Sequence, residues 1–243
     1  MGQETTCGTD QAPKVLPRTP GVSPSLRRVS RISIEKRPRI AVYCGSRVGD
    51  DPVFAEAARS VGSGLAERGA DVVFGGGSVG LMGLAAEAAM AGGSHVIGVI
   101  TEQLLDKEVA NHAIDELRVV SDMPARKAEM YREADAFVTL PGGIGTMEEF
   151  FEVLTWRYLG LHPKPMGLVN TDGYYDPLLA FIDHSIDRGF GRQSARDLIV
   201  VGKDESILDD LLAMIPTLGE DSDPDRPTIL NHRGPEHSDG DTH

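Results

Sequence analysis

Cysteine is nearly absent from this chain. Only Cys7 and Cys44 occur among 243 residues, and Cys7 stands in a polar stretch. Neither a disulfide framework nor a cysteine-based metal site can be built from them, which fits a reducing compartment. His95 and His112 lack partners at metal-ligand spacing, so no metal is expected. No apolar run approaches the roughly 18 residues of a membrane span. The first 30 residues lack the apolar centre of a signal peptide. The expected location is therefore the cytoplasm, with no membrane partner. Positive charge is also short: 24 Lys and Arg stand against 37 Asp and Glu, a net charge of -13. Residues 1–39 hold eight Lys/Arg and three Asp/Glu, whereas residues 217–243 hold two and seven. The ends offset each other, so the deficit belongs to the body between them. An acidic body lacks the basic stripe that nucleic acid requires, and no nucleic-acid partner is expected. A small anionic ligand would instead need cations gathered inside a cleft. The dinucleotide fingerprint G-x-G-x-x-G is missing after the first strand.

What remains is ordinary globular material. Hydrophobic residues make up 40% and charged residues 25%, enough apolar surface for one α/β domain with a full core. Residues 1–37 are rich in Pro, Ser, Thr and Arg without a period and read as a disordered basic tail. Within it, SLRRVSR (25–31) reads first as a solvated linker, with a kinase target or a partner arm as the alternatives. Residues 217–243 read as a disordered acidic tail. Between them, over 38–216, short apolar strands alternate with helical patterns. Strands are expected at Arg39–Cys44, Asp71–Phe74, His95–Ile100, Leu117–Ser121, Asp135–Leu140, Pro165–Asn170 and Leu198–Val201. Helices are expected at Pro52–Arg68, Leu81–Ala91, Met123–Arg132, Gly145–Leu159, Asp176–Arg188 and Glu205–Ile215. This alternation predicts a Rossmann-like, doubly wound parallel sheet of about seven strands with helices on both faces. In such a sheet ligands bind beyond the C-terminal strand ends, at a switch point. Cys44-Gly-Ser, Gly75-Gly-Gly, Ser121-Asp122 and Pro141-Gly-Gly all fall at such ends.

The most informative stretch is Thr139 to Phe151, TLPGGIGTMEEFF. An apolar strand turns on glycines into a helix, which leaves backbone N–H groups unpaired and aimed one way. With the positive end of the helix dipole, they make a seat for phosphate. Gly142, Gly143, Ile144, Gly145 and Thr146 form the seat, followed by Met147, and Glu148 and Glu149 are expected in the first helical turn. Thr146-x-x-Glu149 also fits a capping box with no chemical role. The helix that follows carries an apolar stripe, Met147, Phe150, Phe151, Leu154, Tyr158 and Leu161, widened by Trp156 and Leu159.

PGGIGTMEE (141–149) resembles the signature of the Lonely Guy (LOG) family of nucleoside-monophosphate phosphoribohydrolases, many of which were once described as possible lysine decarboxylases. Met123-Pro-Ala-Arg-Lys-Ala-Glu-Met130 is similar to the family's second signature, M-x-x-R-K-x-x-M. Likeness also runs from VYCGS (42–46) through GGGSVGLMG (75–83) to KPMGLVNTDGYYDPLL (164–179), so it covers roughly residues 39 to 190. The resemblance implies cleavage of the N-glycosidic bond of nucleoside 5′-monophosphates to free base and ribose 5-phosphate, without a cofactor. Cytokinin ribotides such as isopentenyladenosine monophosphate, and AMP, are the implied substrates. It assigns Arg126 and Glu149 as the catalytic pair, and Glu108 and Thr155 as further substrate contacts, with Lys127 beside Arg126 read as an assisting point charge or a solvent-facing side chain. It also implies a homodimer that buries part of the helix after the motif.

The residues themselves agree with this chemistry. Breaking the bond builds positive charge on the sugar, and a carboxylate near C1′ can stabilise that charge and direct a water. Arg126 and Lys127 alternatively form a solvated pair on a helix face. Gly75 to Ser78 shape the pocket or permit close packing. Two other readings stay open. One is a nucleotide-binding or cofactor-carrier protein without turnover. The other is a pyridoxal-phosphate lysine decarboxylase, which needs a Schiff-base lysine and a pyridinium partner. Lys127 is the only motif lysine, and no such partner is evident.

Overall fold

Short apolar runs form the strands, and among the described residues seven of them assemble into one sheet. The computed structural model describes residues 36–105 and 110–216. The expected tails lie outside the described residues apart from 36 and 37, and so does Glu108. In chain order the elements are β1 (Arg39–Tyr43), α1 (Pro52–Glu67), β2 (Asp71–Phe74), α2 (Gly80–Ala91), β3 (Val96–Thr101), β4 (Glu116–Val120) and α3 (Met123–Glu133). They continue as β5 (Ala136–Thr139), α4 (Ile144–Tyr158), β6 (Met166–Val169), α5 (Asp176–Asp187), α6 (Gln193–Arg196), β7 (Ile199–Gly202) and α7 (Ile207–Ala213). Boundaries sit within about two residues of the expected ones, and α6 is an addition.

All strand pairs are parallel, in the order β4-β3-β2-β1-β5-β6-β7. The chain builds outward from β1 through β2 and β3 to β4. It then returns to the other side of β1 and builds outward again through β5, β6 and β7. The direction of winding reverses between β1 and β5, which is where an open α/β sheet leaves a crevice. Side chains of β1 alternate between two cores. Ile40, Val42 and Cys44 join α1, α2 and α7 on one face. Ala41 and Tyr43 join α3, α4 and α5 on the other. Strands β2, β3, β5 and β6 are buried throughout, whereas the edge strands β4 and β7 are half-exposed. Among the described residues no helix is long and apolar enough to cross a membrane.

Two helices are stopped at their N-termini by aspartate. The Asp51 carboxylate accepts from Val53 N–H at 2.9 Å, and that of Asp122 accepts from Ala125 N–H at 2.8 Å. Each cap satisfies an otherwise orphaned donor. The α4 stripe divides between core and surface. Phe150, Val153 and Leu154 are buried, while Phe151, Tyr158, Leu159 and Leu161 are exposed. Trp156 packs edge-on against Tyr131, ring centroids 5.1 Å apart.

Candidate functional site

Helix α4 begins differently from α1 and α3. Its N-cap is Gly143, in extended geometry and with no side chain to donate or accept. The first-turn N–H groups therefore have neither an intrahelical acceptor nor a capping side chain. The capping-box expectation does not hold, because Thr146 lies inside the helix and is buried. Glu148 and Glu149 fall in the second turn, not the first as expected, since the helix starts at Ile144. Gly142 is required by contact. A Cβ there would come 2.2 Å from Thr146 Oγ1 and 2.8 Å from the Gly45 nitrogen. The turn is thus pressed between its own helix and the β1–α1 loop. Gly45 joins three segments: its N–H donates to Pro141 O at 3.0 Å, and its carbonyl accepts from Leu81 N–H at 3.0 Å.

Helix α3 delivers Arg126 beneath the strand ends. The side chain is only 5% exposed, so it is not a solvated helix-face cation. Its Nε donates to Val99 O at 3.0 Å and its Nη2 to Gly75 O at 3.1 Å. The ends of β3 and β2 therefore hold the guanidinium through main-chain carbonyls. Its Nη1 stands 4.0 Å from Glu149 Oε1, an ion pair in which both side chains are largely shielded from water. The negative charge of Glu149 is felt at the end of β1. Burial chiefly, then Glu149, Glu152 and Glu148, hold the Tyr43 hydroxyl well above its ordinary pKa, with Arg126 opposing. Burial and then Glu149 push the Cys44 thiol up as well. A thiol kept protonated is no nucleophile.

Lys127 faces the other way. Its Nζ donates to Glu148 and, at 2.9 Å, to Glu152 Oε1, tying α3 to α4. Burial disfavours its charge, but the hydrogen bonds to Glu148 and Glu152 outweigh burial and raise its pKa. Lys127 and Glu148 are thus engaged with each other. Glu152 was not singled out in the sequence; its spacing of four from Glu148 on one helix was the available signal. Met147 packs partly into the core, and Thr155 is exposed on α4.

A cleft of about 650 Å³ opens at the switch point, between the β1–α1 loop and the glycine turn. Of the expected site residues, Gly142, Gly143 and Ile144 line it. Arg126, Lys127, Gly145, Thr146, Met147, Glu148, Glu149 and Thr155 are not in its lining. The Arg126–Glu149 pair belongs instead to the face covered by α3 and α4. Ser46, in a strand-end loop already noted, lines it too, as do Arg47, Phe54 and Tyr174, which sequence reasoning did not name as site residues. Tyr174 stands in a block already noted for likeness, TDGYYD, but without a motif that names its partner.

A family model described as "Possible lysine decarboxylase" matches residues 82–211, more than half of the chain. A cytokinin riboside 5′-monophosphate phosphoribohydrolase of Arabidopsis thaliana is 54% identical over 162 residues, covering 67% of this chain and 75% of the relative. One of Oryza sativa subsp. japonica is 54% identical over 162 residues, covering 67% of each. The chain belongs to the LOG family. The matched segment of this LOG protein includes Arg126, Lys127 and the whole glycine turn with α4. Among solved structures, the molybdenum cofactor binding protein of Rippkaea orientalis superposes with a TM-score of 0.57 at 22% identity, covering 75% of this chain and 99% of that one. The molybdenum cofactor carrier protein of Chlamydomonas reinhardtii gives 0.55 at 23%, covering 73% and 99%. At that identity the likeness speaks to the fold alone, an α/β sheet wound on both faces.

Proposed function

We propose that this LOG protein is a phosphoribohydrolase that cleaves nucleoside 5′-monophosphates to free base and ribose 5-phosphate. The substrates proposed are cytokinin ribotides such as isopentenyladenosine monophosphate, and AMP. One observation carries the reading: a shielded Arg126–Glu149 pair, 4.0 Å apart, next to a helix whose N-terminus has no capping side chain. The N–H groups from Gly143 to Thr146 bind the phosphate, helped by the α4 dipole. The C1′–N bond breaks with its electron pair passing to the base, and water adds to C1′. Glu149 stabilises the charge that builds on the ribose and accepts a proton of the attacking water, which then passes to the departing base and restores the carboxylate. Arg126, fixed by Val99 O and Gly75 O, holds that carboxylate in place and contacts the sugar-phosphate. No cofactor takes part. The catalytic domain is residues 38–216, flanked by the basic and acidic tails, and the proposed location is the cytoplasm.

Incubating the purified protein with AMP or isopentenyladenosine monophosphate is expected to yield equal amounts of free base and ribose 5-phosphate by chromatography. Tight nucleotide binding with no base released would overturn the reading in favour of a carrier. The exposed apolar residues of α4, Phe151 and Tyr158, with Leu159 and Leu161 just beyond, support a homodimer built on that helix. Light scattering at micromolar concentration is expected to give twice the chain mass of 26.1 kDa. A strictly monomeric mass would remove the dimer from the proposal.

A further inference from the structure

A glycine turn offers its N–H groups to an anion only when the carbonyls of the same stretch are held elsewhere. A carbonyl left facing the seat would repel phosphate and expose an unpaired acceptor. Three successive carbonyls lead into α4, and each takes a donor from another part of the chain. Leu140 O accepts from the Tyr175 hydroxyl at 2.6 Å, Pro141 O from Gly45 N–H at 3.0 Å, and Gly142 O from the Tyr174 hydroxyl at 2.7 Å. Two of the three donors are adjacent tyrosines on the connection between β6 and α5.

We propose that Tyr174 is a positioning residue for the phosphate of a nucleoside monophosphate, latching the Gly142 carbonyl so that the Gly143 N–H faces the anion, with Tyr175 bracing the strand end before the turn. The inference rests on the reading above, in which that turn takes the phosphate. Its physical core is the planarity of the peptide. The Gly142 carbonyl and the Gly143 N–H belong to one rigid unit and point in opposite directions. Fixing that oxygen on Tyr174 therefore aims the Gly143 N–H away from Tyr174 and fixes its direction. Gly45 does the same for the Gly142 N–H through Pro141 O.

The latch is itself braced. The turn before it places Asp172 at φ 50° and Gly173 at φ 70°, which brings both tyrosines round toward the glycine turn. Asn170 Oδ1 accepts from Tyr175 N–H at 2.6 Å, and its Nδ2 donates to Asp176 Oδ1 at 2.7 Å. The Tyr174 ring lies edge-on to Tyr175 at 5.0 Å and to Phe54 at 5.7 Å. Tyr175 is buried, and burial raises its pKa, so it stays a neutral hydroxyl able to donate. Tyr174 is 42% exposed and lines the cleft beside the turn. Its ring can stay in place when only its oxygen is removed.

Tyr174→Phe tests this directly. The expected result is a KM for AMP raised about 3- to 10-fold, the size of one lost hydrogen bond, with kcat within about twofold. The dissociation constant of ribose 5-phosphate, measured by calorimetry, should rise by the same factor, with an unchanged melting temperature. Tyr175→Phe should chiefly lower the melting temperature, because Leu140 O, whose peptide partner Pro141 has no N–H to aim, is left unpaired in the interior. A folded Tyr174→Phe that binds ribose 5-phosphate as tightly as the parent overturns the latch, as does a loss confined to kcat. If the parent protein releases no base yet binds ribose 5-phosphate, the hydrolase reading fails while the calorimetry still decides the latch.

Discussion

Glu149→Gln is expected to lower the turnover of AMP by about 10²- to 10⁴-fold, the usual range for removing a positioned general base. The substitution keeps the shape of the side chain and removes its charge. Arg126 stays anchored on Val99 O and Gly75 O, so the fold has no reason to move. What disappears is the carboxylate 4.0 Å from the guanidinium, the group that stabilises the developing cation and takes the proton of water. The KM for AMP should change little, since the phosphate seat belongs to the start of α4. Glu148→Gln provides the contrast. Glu148 is half-exposed and bound to Lys127, and such an ion pair is worth about 0–1 kcal/mol, so turnover should fall by no more than about fivefold. Steady-state kinetics on both variants, with circular dichroism to establish folding, separates the two glutamates. Near-normal turnover in Glu149→Gln would remove Glu149 from catalysis and leave the two neighbours equivalent.

The adjacency of these glutamates shows where sequence reasoning stopped. The parallel sheet with helices on both faces was legible because β1, β2, β3 and β5 carry continuous apolar runs, which only a sheet covered on both faces can bury. The start of α4 was less legible. The expected first residue is Gly145, but the helix starts one residue earlier at Ile144, with Gly143 as its cap. That start rests on a tertiary contact, the approach of Gly142 to Gly45 and Thr146. The one-residue difference counts Glu149 in the second turn rather than the first. Lys127 shows the same limit for charge. Arg126-Lys127 stands as one cationic pair in the sequence, yet the first is buried on carbonyls and the second is bound by Glu148 and Glu152. Burial divides them, and burial depends on which side of α3 meets the sheet. The tyrosines of TDGYYD were quoted for likeness only, because their hydroxyl partners are carbonyls more than thirty residues away.

Gly75→Ala is expected to cost about 10²-fold in kcat/KM, the scale of a 1 Å displacement at a reacting centre. A Cβ at position 75 would stand 2.0 Å from Arg126 Nη2, closer than real Cβ contacts come, and 3.2 Å from its Cζ. Something must shift, and the obstructing atoms are the far end of a flexible side chain. The backbone of β2 can therefore remain while the guanidinium leaves its two carbonyls and its place beside Glu149. Overpacking of this kind costs about 1–3 kcal/mol of stability, which a domain of this size survives. Gly62→Ala gives the opposite balance. Its Cβ would stand 2.2 Å from Ala85 O, a backbone atom of α2, so α1 and α2 must separate. Thermal melting and AMP turnover measured on both variants should dissociate, with Gly62→Ala losing mainly stability and Gly75→Ala mainly activity. If Gly75→Ala turns over AMP at the parent rate, the placement of Arg126 is irrelevant to the reaction. The glycine after β2 would then serve packing alone, since no other group in the site requires a bare Cα at that point.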